Sequence, residues 1–202
     1  MITKKEHIIE YFHKGVKNLD EFKIGVEHEK FLFDLNSNKR ADYPTILKMF
    51  KGLFEFGWQP IMETDNIIGL TKDSKSITLE PGNQIELSGA KLDNIHQACS
   101  ESQDYLFELN QVISKLGLKI VSAGFDPISK ITEVPKNPKQ RYEVMTNDMP
   151  KGGKLSLDMM YRTAGTQVNI DYSSEADFIK KFRIVNSIVP ISIALFATSS
   201  IV

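Results

Sequence analysis

The chain has 202 residues, of which 41% are apolar and 25% are charged, an ordinary composition for a globular protein that excludes disorder and collagen-like repeats. Lysine and arginine number 25 against 26 acidic residues, so the net charge of −1 provides no general attraction to nucleic acid. The single cysteine, Cys99, excludes an internal disulfide and a cysteine-rich zinc site. We therefore expect a cytoplasmic protein with one domain over residues 1–202 and no nucleic-acid partner.

Apolar spacing and turn residues divide the first half of the chain into helices and strands. Thr3 and Glu6 form a capping box, Pro44 is suited to a first helical turn, and Pro81-Gly82-Asn83 is typical of a turn. These signals predict helices over 3–18 and 44–56 and strands over 23–34, 66–72 and 76–88, the last strand being interrupted by the turn.

The second half continues the same mixture. Gly117 ends the clearest helical pattern, and Ser174-x-x-Asp177 opens another helix. We predict a helix over 93–116, strands over 118–125 and 161–172, and a loop over 127–156 that contains one short helix near 139–147. Long strands mixed with helices, with a hairpin signal among them, indicate an α+β fold with a mainly antiparallel sheet and flanking helices.

The C-terminal stretch 184–202 carries no charge and approaches the length of a bilayer span, but it contains several polar residues and Pro190. We therefore predict a pair of buried helices, the second beginning at Pro190, and no membrane partner. Because the chain stops at Ile201-Val202, directly after an apolar stretch, we expect it to be the N-terminal part of a longer protein.

The strand IGVEHEKFLF carries the first candidate site. Alternation places Glu27 and Glu29 on one face, which Phe31 and Phe33 continue, and His28 on the other face, where we expect it to be packed. Burying two acids beside aromatic rings is costly without a partner. Either this face is solvated, or a cation lies against the two carboxylates.

The hairpin ITLEPGNQIELSG carries the second candidate site. A three-residue loop at Pro81-Gly82-Asn83 would pair Glu80 with Gln84 and Thr78 with Glu86, so that Glu80, Gln84 and Glu86 line one face. A two-residue loop would instead separate Glu80 from Glu86. The residues alone fit a polar hairpin edge equally well.

The strand MYRTAGTQVNIDYS adds a polar face with Gln167, Asn169 and Asp171. Glutamate and glutamine oxygens on neighbouring strands are ligands that Mg²⁺ prefers. Arg141 and Arg162 offer planar guanidinium groups suited to a substrate carboxylate or phosphate.

Taken in order, the segments IGVEHEKF, ITLEPGNQIELSGA, IHQAC, RYEVM and MYRTAGTQVNIDYSSEADF resemble the plant and alphaproteobacterial type of glutamate–cysteine ligase. The resemblance implies a glutamine synthetase-like catalytic fold, a curved antiparallel sheet forming a funnel, of which this chain would carry half. It also implies ATP-dependent joining of the glutamate γ-carboxyl to the cysteine amine through γ-glutamyl phosphate, the first step of glutathione biosynthesis.

The resemblance also assigns residues. It implies Mg²⁺, or alternatively Mn²⁺, bound by Glu27, Glu29, Glu80 and Glu86. It implies substrate binding by Gln84, Gln167 and Asn169, and catalytic roles for Arg141 and Arg162. Glutamate, cysteine and the co-substrate ATP would be the small-molecule partners, the C-terminal half of the protein is a missing partner, and a homodimer is a further expectation.

Family members are longer than this chain, so we expect the isolated 202-residue chain to be inactive. Two alternatives remain: a binding or structural fragment that keeps the scaffold without ligase activity, and a glutamate ligase for another amine. The registers predict that the four glutamates share a concave side with Gln167 and Asn169, above Val26, Val168 and Ile170 packed against helices. Cys99 is expected to be a small buried side chain.

Overall fold

The computed structural model describes residues 2–197, in which seven strands form one antiparallel sheet. The strands are β1 Ile24–Asp34, β2 Gln59–Glu63, β3 Asn66–Lys72, β4 Lys75–Leu79, β5 Ile85–Ser88, β6 Leu118–Val121 and β7 Thr166–Ile170. The helices are α1 Lys5–Lys14, α2 Tyr43–Leu53, α3 Ile95–Lys115, α4 Gln140–Asp148, α5 Ser156–Arg162 and α6 Glu175–Phe196, with short 3₁₀ turns at Leu19–Glu21, Phe54–Phe56 and Met149–Lys151. The predicted α+β fold with an antiparallel sheet and flanking helices is confirmed.

The long strand β1 lies at the centre of the sheet, whose order is β2-β3-β4-β5-β1-β6. One edge of β1 pairs with β5 over residues 27–30. The other edge pairs first with β7, over residues 24–28, and then with β6, over residues 31–34. Three chain segments that are far apart in sequence are therefore aligned against one strand.

Helices α2 and α3 cover one face of the sheet. Asp42 caps α2 by accepting a hydrogen bond from Thr45 N at 3.0 Å, and Asn94 caps α3 through His96 N and Gln97 N. The core between these helices and the sheet contains fully buried Ile46, Phe50, Trp58, Leu70, Ile77, Leu79, Ile85 and Leu109. Because Leu32, Ile77, Ile85 and Leu87 point to this face, the residues that alternate with them, including Glu27, Glu29, Thr78 and Glu86, point to the opposite face.

The hairpin between β4 and β5 has the predicted register. Thr78 lies opposite Glu86, and Glu80 N donates to Gln84 O at 2.8 Å, which leaves Pro81-Gly82-Asn83 as the loop. Asn83 has a left-handed backbone with φ +60°, which asparagine tolerates better than most residues. The three-residue loop therefore puts Glu80 and Glu86 on one face.

Two predicted strands are shorter in the structure. Tyr161 and Arg162 belong to the last turn of α5, so the strand predicted over 161–172 is reduced to Thr166–Ile170. Met160 and Tyr161 are buried against Val134, a contact that local alternation does not encode. The strand over 118–125 ends at Val121, and β2 was not predicted at all because Pro60 interrupts its pattern.

The prediction of two buried C-terminal helices is wrong. Residues 175–196 form a single helix with Pro190 inside it and no buried residue, and residues 198–202 lie outside the described part of the chain. Proline removes one backbone N–H and bends a helix without necessarily ending it. Across residues 2–197, no helix combines the length and apolarity needed to cross a bilayer.

Two further burial predictions are wrong. Val168 is 65% exposed and Ile170 is 51% exposed, because α2 and α3 pack on β1, β3 and β6 and leave this part of β7 uncovered. Cys99 is exposed since it lies one residue beyond Ala98, about 100° around α3 from the side that packs on the sheet.

Candidate functional site

Four glutamates from β1 and the β4–β5 hairpin meet on the face of the sheet opposite α2 and α3. Glu29 lies directly opposite Glu86 in the ladder, and Glu27, two residues before Glu29, shares its face. Glu80 follows β4 two residues after Thr78, which lies opposite Glu86. We call Glu27, Glu29, Glu80 and Glu86 the glutamate cluster.

Glu27 is held by two amides of β7. Asn169 Nδ2 donates to Glu27 Oε1 at 2.9 Å, and Gln167 Nε2 donates to Glu27 Oε2 at 2.9 Å. The pairing of β1 with β7 places Gln167 opposite Glu27 and Asn169 opposite Gly25, which accounts for both contacts. The prediction that these amides share a face with the acids is confirmed.

Glu29 is held by the backbone that leads into β7. Its Oε2 accepts a hydrogen bond from Gly165 N at 2.8 Å, and its own N–H donates to Gly165 O at 2.9 Å. Burial raises the pKa of Glu29, the bond from Gly165 partly opposes this rise, and the charges of Glu86 and Glu27 add to it. The pKa of Glu29 thus depends on two other members of the cluster, Glu86 and Glu27.

Glu86 lies at the centre of the cluster and is only 8% exposed. Thr78 Oγ1 lies 3.2 Å from its Oε2, and Ser88 Oγ lies 3.3 Å from its Oε1. Burial, followed by hydrogen-bonding contacts with the Glu80 and Glu27 carboxyl groups and their charges, raises the pKa of Glu86 to about 7. Two carboxyl groups can share a hydrogen bond only if one of them is protonated, and the raised pKa makes Glu86 a member of the cluster that takes up a proton readily.

The N-terminus of α4 brings Arg141 and Tyr142 to Glu80. The Tyr142 hydroxyl lies 3.2 Å from Glu80 Oε1, and Arg141 NH2 lies 3.8 Å from the same oxygen. Arg141 also donates to the Tyr142 hydroxyl at 2.6 Å and stacks over its ring, while its side chain remains 63% exposed. Arg141 therefore presents a guanidinium at the edge of the cluster, and its predicted catalytic role stays a prediction.

Arg162 lies in a different environment. Its NH1 donates to Asp158 Oδ1 at 2.8 Å, its NH2 donates to Asp126 O at 3.1 Å, and its guanidinium stacks on Phe125 at 4.3 Å. These contacts hold the end of α5 against the segment that follows β6. The structure thus gives Arg162 a positional role, and a contact with substrate stays untested.

Gln84 is buried, with 1% of its surface exposed. Its Oε1 accepts from Gly82 N at 2.8 Å, and its Nε2 donates to Thr163 O at 2.8 Å and lies 3.4 Å from Met160 O. The side chain thereby joins the hairpin loop to the segment between α5 and β7. The predicted contact of Gln84 with substrate would require these bonds to break.

Sequence reasoning missed the pair formed by Arg40 and Asp126. Arg40 NH1 donates to Asp126 Oδ2 at 2.9 Å, and Arg40 NH2 donates to Gly82 O and lies 3.4 Å from Gln84 Oε1. The guanidinium also stacks on Phe31 at 4.4 Å. No spacing or motif connects these residues, which come together only in the folded chain. The pair anchors the loop that joins Glu80 to Glu86.

Comparison with known proteins identifies the family of the chain. Residues 23–202 match the family described as Glutamate-cysteine ligase family 2 (GCS2). The chain belongs to this family. It is 46% identical to the chloroplastic glutamate–cysteine ligase of Medicago truncatula, covering 96% of this chain and 39% of that protein. It is 45% identical to that of Arabidopsis thaliana and 44% identical to ligase A of Oryza sativa subsp. japonica, covering 96% of this chain and 38% and 40% of those proteins.

This member of glutamate-cysteine ligase family 2 spans about two-fifths of the length of these curated relatives. The relatives are named as chloroplastic proteins. The expectation of a cytoplasmic location, drawn from composition, charge and the single cysteine, is therefore wrong.

The donor chemistry of the glutamate cluster fits a hard divalent cation. All four side chains offer carboxylate oxygens, which suit Mg²⁺ and Mn²⁺, and burial together with the neighbouring acids raises the pKa of Glu86. As placed, the carboxylates contact one another and their hydrogen-bond donors, and no set of three or more His, Cys, Asp or Glu within residues 2–197 has the arrangement of a preformed metal site. A bound cation would offset the negative charge that the neighbouring acids place around Glu86.

Proposed function

We propose that this chain carries the metal-binding part of an ATP-dependent glutamate–cysteine ligase. The observation that supports the proposal most is the convergence of the glutamate cluster on one sheet face in a chain of glutamate-cysteine ligase family 2. Named relatives in which the same region is 44–46% identical supply the proposed substrates, glutamate and cysteine.

The proposed reaction has two steps. A γ-carboxylate oxygen of glutamate attacks the γ-phosphorus of ATP, which forms γ-glutamyl phosphate and releases ADP. The cysteine amine nitrogen then attacks the γ-acyl carbon, inorganic phosphate leaves with the C–O bonding electrons, and the nitrogen loses a proton. The product, γ-glutamylcysteine, is the precursor of glutathione. Catalysis of such a phosphoryl transfer depends mainly on positioning and on stabilising negative charge.

The cluster is the proposed binding site for Mg²⁺, with Mn²⁺ as a substitute. When bound, the metal would supply positive charge to offset the phosphates of ATP and the carboxylate of glutamate. Gln167 and Asn169 orient both oxygens of Glu27. The exposed guanidinium of Arg141 is placed to bind a carboxylate or phosphate beside Glu80. These are the roles that this chain's own residues would perform.

Calorimetric titration of the chain with Mn²⁺ tests the proposal. We expect binding at millimolar or lower metal and a rise in Tm, because a ligand that binds only the folded state stabilises it. Glu86→Gln should weaken binding at least tenfold, since changing even a residue that only hydrogen-bonds to a metal ligand typically costs 10–100-fold in affinity. This variant keeps the shape of a protonated glutamate, so the fold should persist. Glu55→Gln, at an exposed site outside the cluster, is the matched control.

A folded chain that binds no Mn²⁺ at millimolar concentration would contradict the proposed metal site. If Mn²⁺ binds, thermal unfolding is repeated with glutamate and with ATP. A further rise in Tm with either compound is expected of a ligase site. A metal-stabilised chain whose Tm responds to neither compound would instead support the alternative of a binding scaffold without ligase activity.

A further inference from the structure

Glu80 differs from the other acids of the cluster because it lies outside the strands. It follows Leu79, the last residue of β4, and precedes the hairpin loop. Its side chain is therefore not held in place by strands on both sides, as the side chains within the sheet are. Each of the other three acids has its own hydrogen-bond donors. Glu27 accepts from Gln167 and Asn169, and Glu29 accepts from Gly165 N. Glu86 accepts from Thr78 and Ser88. The corresponding donor to Glu80 is the hydroxyl of Tyr142.

The Tyr142 hydroxyl has two acceptors within reach, Leu79 O at 2.9 Å and Glu80 Oε1 at 3.2 Å, but only one proton to donate. Leu79 O already accepts a hydrogen bond from Lys139 Nζ at 2.7 Å. Leu79 O therefore keeps a charge-assisted donor without the phenol, whereas Glu80 offers a carboxylate, to which a hydrogen bond is stronger than to a neutral carbonyl. The phenol proton is therefore available to Glu80.

The opposite side of the phenol is also occupied. Arg141 NH2 donates to the Tyr142 oxygen at 2.6 Å, and the Tyr142 side chain is buried, with 4% of the residue exposed. The hydroxyl thus accepts from Arg141 and donates to Glu80, which polarises its O–H bond towards the carboxylate. This bond uses Oε1, so Oε2 of Glu80 is the oxygen that would face a cation in the cluster.

We propose that Tyr142 is a positioning residue that orients Glu80 as a metal ligand and links Arg141 to the same carboxylate. This inference rests on the proposed metal site. Hydrogen bonds to metal-ligating carboxylates commonly fix ligand orientation and tune affinity. In this chain the contact also compensates for the position of Glu80 beyond the end of β4.

The test is Mn²⁺ titration of the Tyr142→Phe chain, with Tyr161→Phe as the matched control. Tyr161 is likewise buried and its hydroxyl lies 2.6 Å from Thr146 Oγ1, but none of its hydrogen bonds reaches the cluster. We expect Tyr142→Phe to raise the Kd for Mn²⁺ about tenfold, at the low end of the effect of removing a hydrogen bond to a metal ligand. Tyr161→Phe should leave the Kd unchanged. The two variants should lower the metal-free Tm by similar amounts, because each removes one buried hydroxyl.

A double-mutant cycle with Glu80→Gln separates positioning from a general effect on the fold. In the Glu80→Gln background, Tyr142→Phe should change the Kd less than twofold, because the oriented carboxylate is already gone. The metal-induced rise in Tm gives a second readout: at one saturating Mn²⁺ concentration it should be smaller for Tyr142→Phe than for the unaltered chain, and the same for Tyr161→Phe as for the unaltered chain.

Several results would overturn the proposal. An unchanged Kd in Tyr142→Phe would remove Tyr142 from the metal site but leave the proposed function intact. Equal effects of Tyr142→Phe and Tyr161→Phe on the Kd, or a Tyr142→Phe chain that does not fold, would assign the hydroxyl to the fold instead. Failure of the unaltered chain to bind Mn²⁺ would overturn both the positioning role and the proposed function.

Discussion

Replacing Arg40 by methionine is expected to destabilise the chain strongly. The Arg40 side chain is 1% exposed and its partner Asp126 is fully buried, so neither charge is solvated in the folded state. Methionine has a similar length and fills much of the space left by the aliphatic part of arginine, but it cannot donate hydrogen bonds. The change therefore removes the charge while keeping most of the packing on Phe31.

The structure sets the size of the effect. Leaving one partner of a buried ion pair uncompensated typically costs about 3–5 kcal/mol. Asp126 keeps hydrogen bonds from Ile128 N and Ser129 N, both at 2.9 Å, which places this contribution near the lower limit. Gly82 O also loses a donor, which adds about 1 kcal/mol. We expect a loss of about 4 kcal/mol in the free energy of unfolding, a large part of the 5–15 kcal/mol typical of a domain.

Urea unfolding monitored by tryptophan fluorescence measures this loss directly, because Trp58 is the single tryptophan and is fully buried. Arg183→Met, at an exposed position on α6, controls for the removal of one positive charge. Adding Asp126→Asn to Arg40→Met should recover part of the loss, since no uncompensated charge then remains. A cost below about 1 kcal/mol for Arg40→Met, or strictly additive costs in the double variant, would refute this account.

Two other predictions concern the same loop and its anchor. Burial alone would raise the pKa of Asp126, but hydrogen bonds from Ser129 and Ile128 and the Arg40 guanidinium outweigh it and lower the pKa. The stability that this lowered pKa provides is present above the unfolded-state pKa and is lost as the pH falls through the lower, folded-state pKa. Asp126→Asn should therefore flatten the decline of the free energy of unfolding at acid pH. An unchanged decline would contradict this prediction. Gly82→Ala should lower the urea midpoint, because a Cβ would lie 2.6 Å from Tyr161 O and 2.8 Å from Val134 Cγ1, at a cost of about 1–3 kcal/mol. Gly153→Ala, where a Cβ meets nothing within 4 Å, is its control, and equal midpoints would count against the crowding argument.

The parts of the fold that sequence predicts well are those determined by local periodicity. Strand β1 and helices α2 and α3 match their predicted positions within a few residues. The register of the β4–β5 hairpin follows from the turn residues at positions 81–83, and with it the common face of Glu80 and Glu86. The glutamate cluster could therefore be predicted from period-two alternation and one turn.

The supports of the cluster could not be predicted in the same way. Arg40 and Asp126 are 86 residues apart in the chain, and Tyr142 is 62 residues from Glu80. Such contacts depend on how the segments after β6 and before α5 fold back over the sheet, which no local pattern specifies. Gln84 illustrates the same limit, because its polarity suggested a substrate contact whereas the fold gives it Thr163 O and Gly82 N as partners.

The arrangement also explains how four acids can share one sheet face without a permanent positive partner among them. The opposite face buries the main apolar core against α2 and α3, so that core does not depend on the charges of the glutamate cluster. On the acidic face, the donors to Glu27, Glu29 and Glu80 come from β7, its preceding loop and α4, all of which follow in sequence the hairpin that completes the cluster. The carboxylates of Glu27, Glu29 and Glu80 can therefore be oriented only after these later segments have packed on β1 and the hairpin. Any affinity for a cation must then be coupled to that packing, because the free carboxylates would otherwise repel one another.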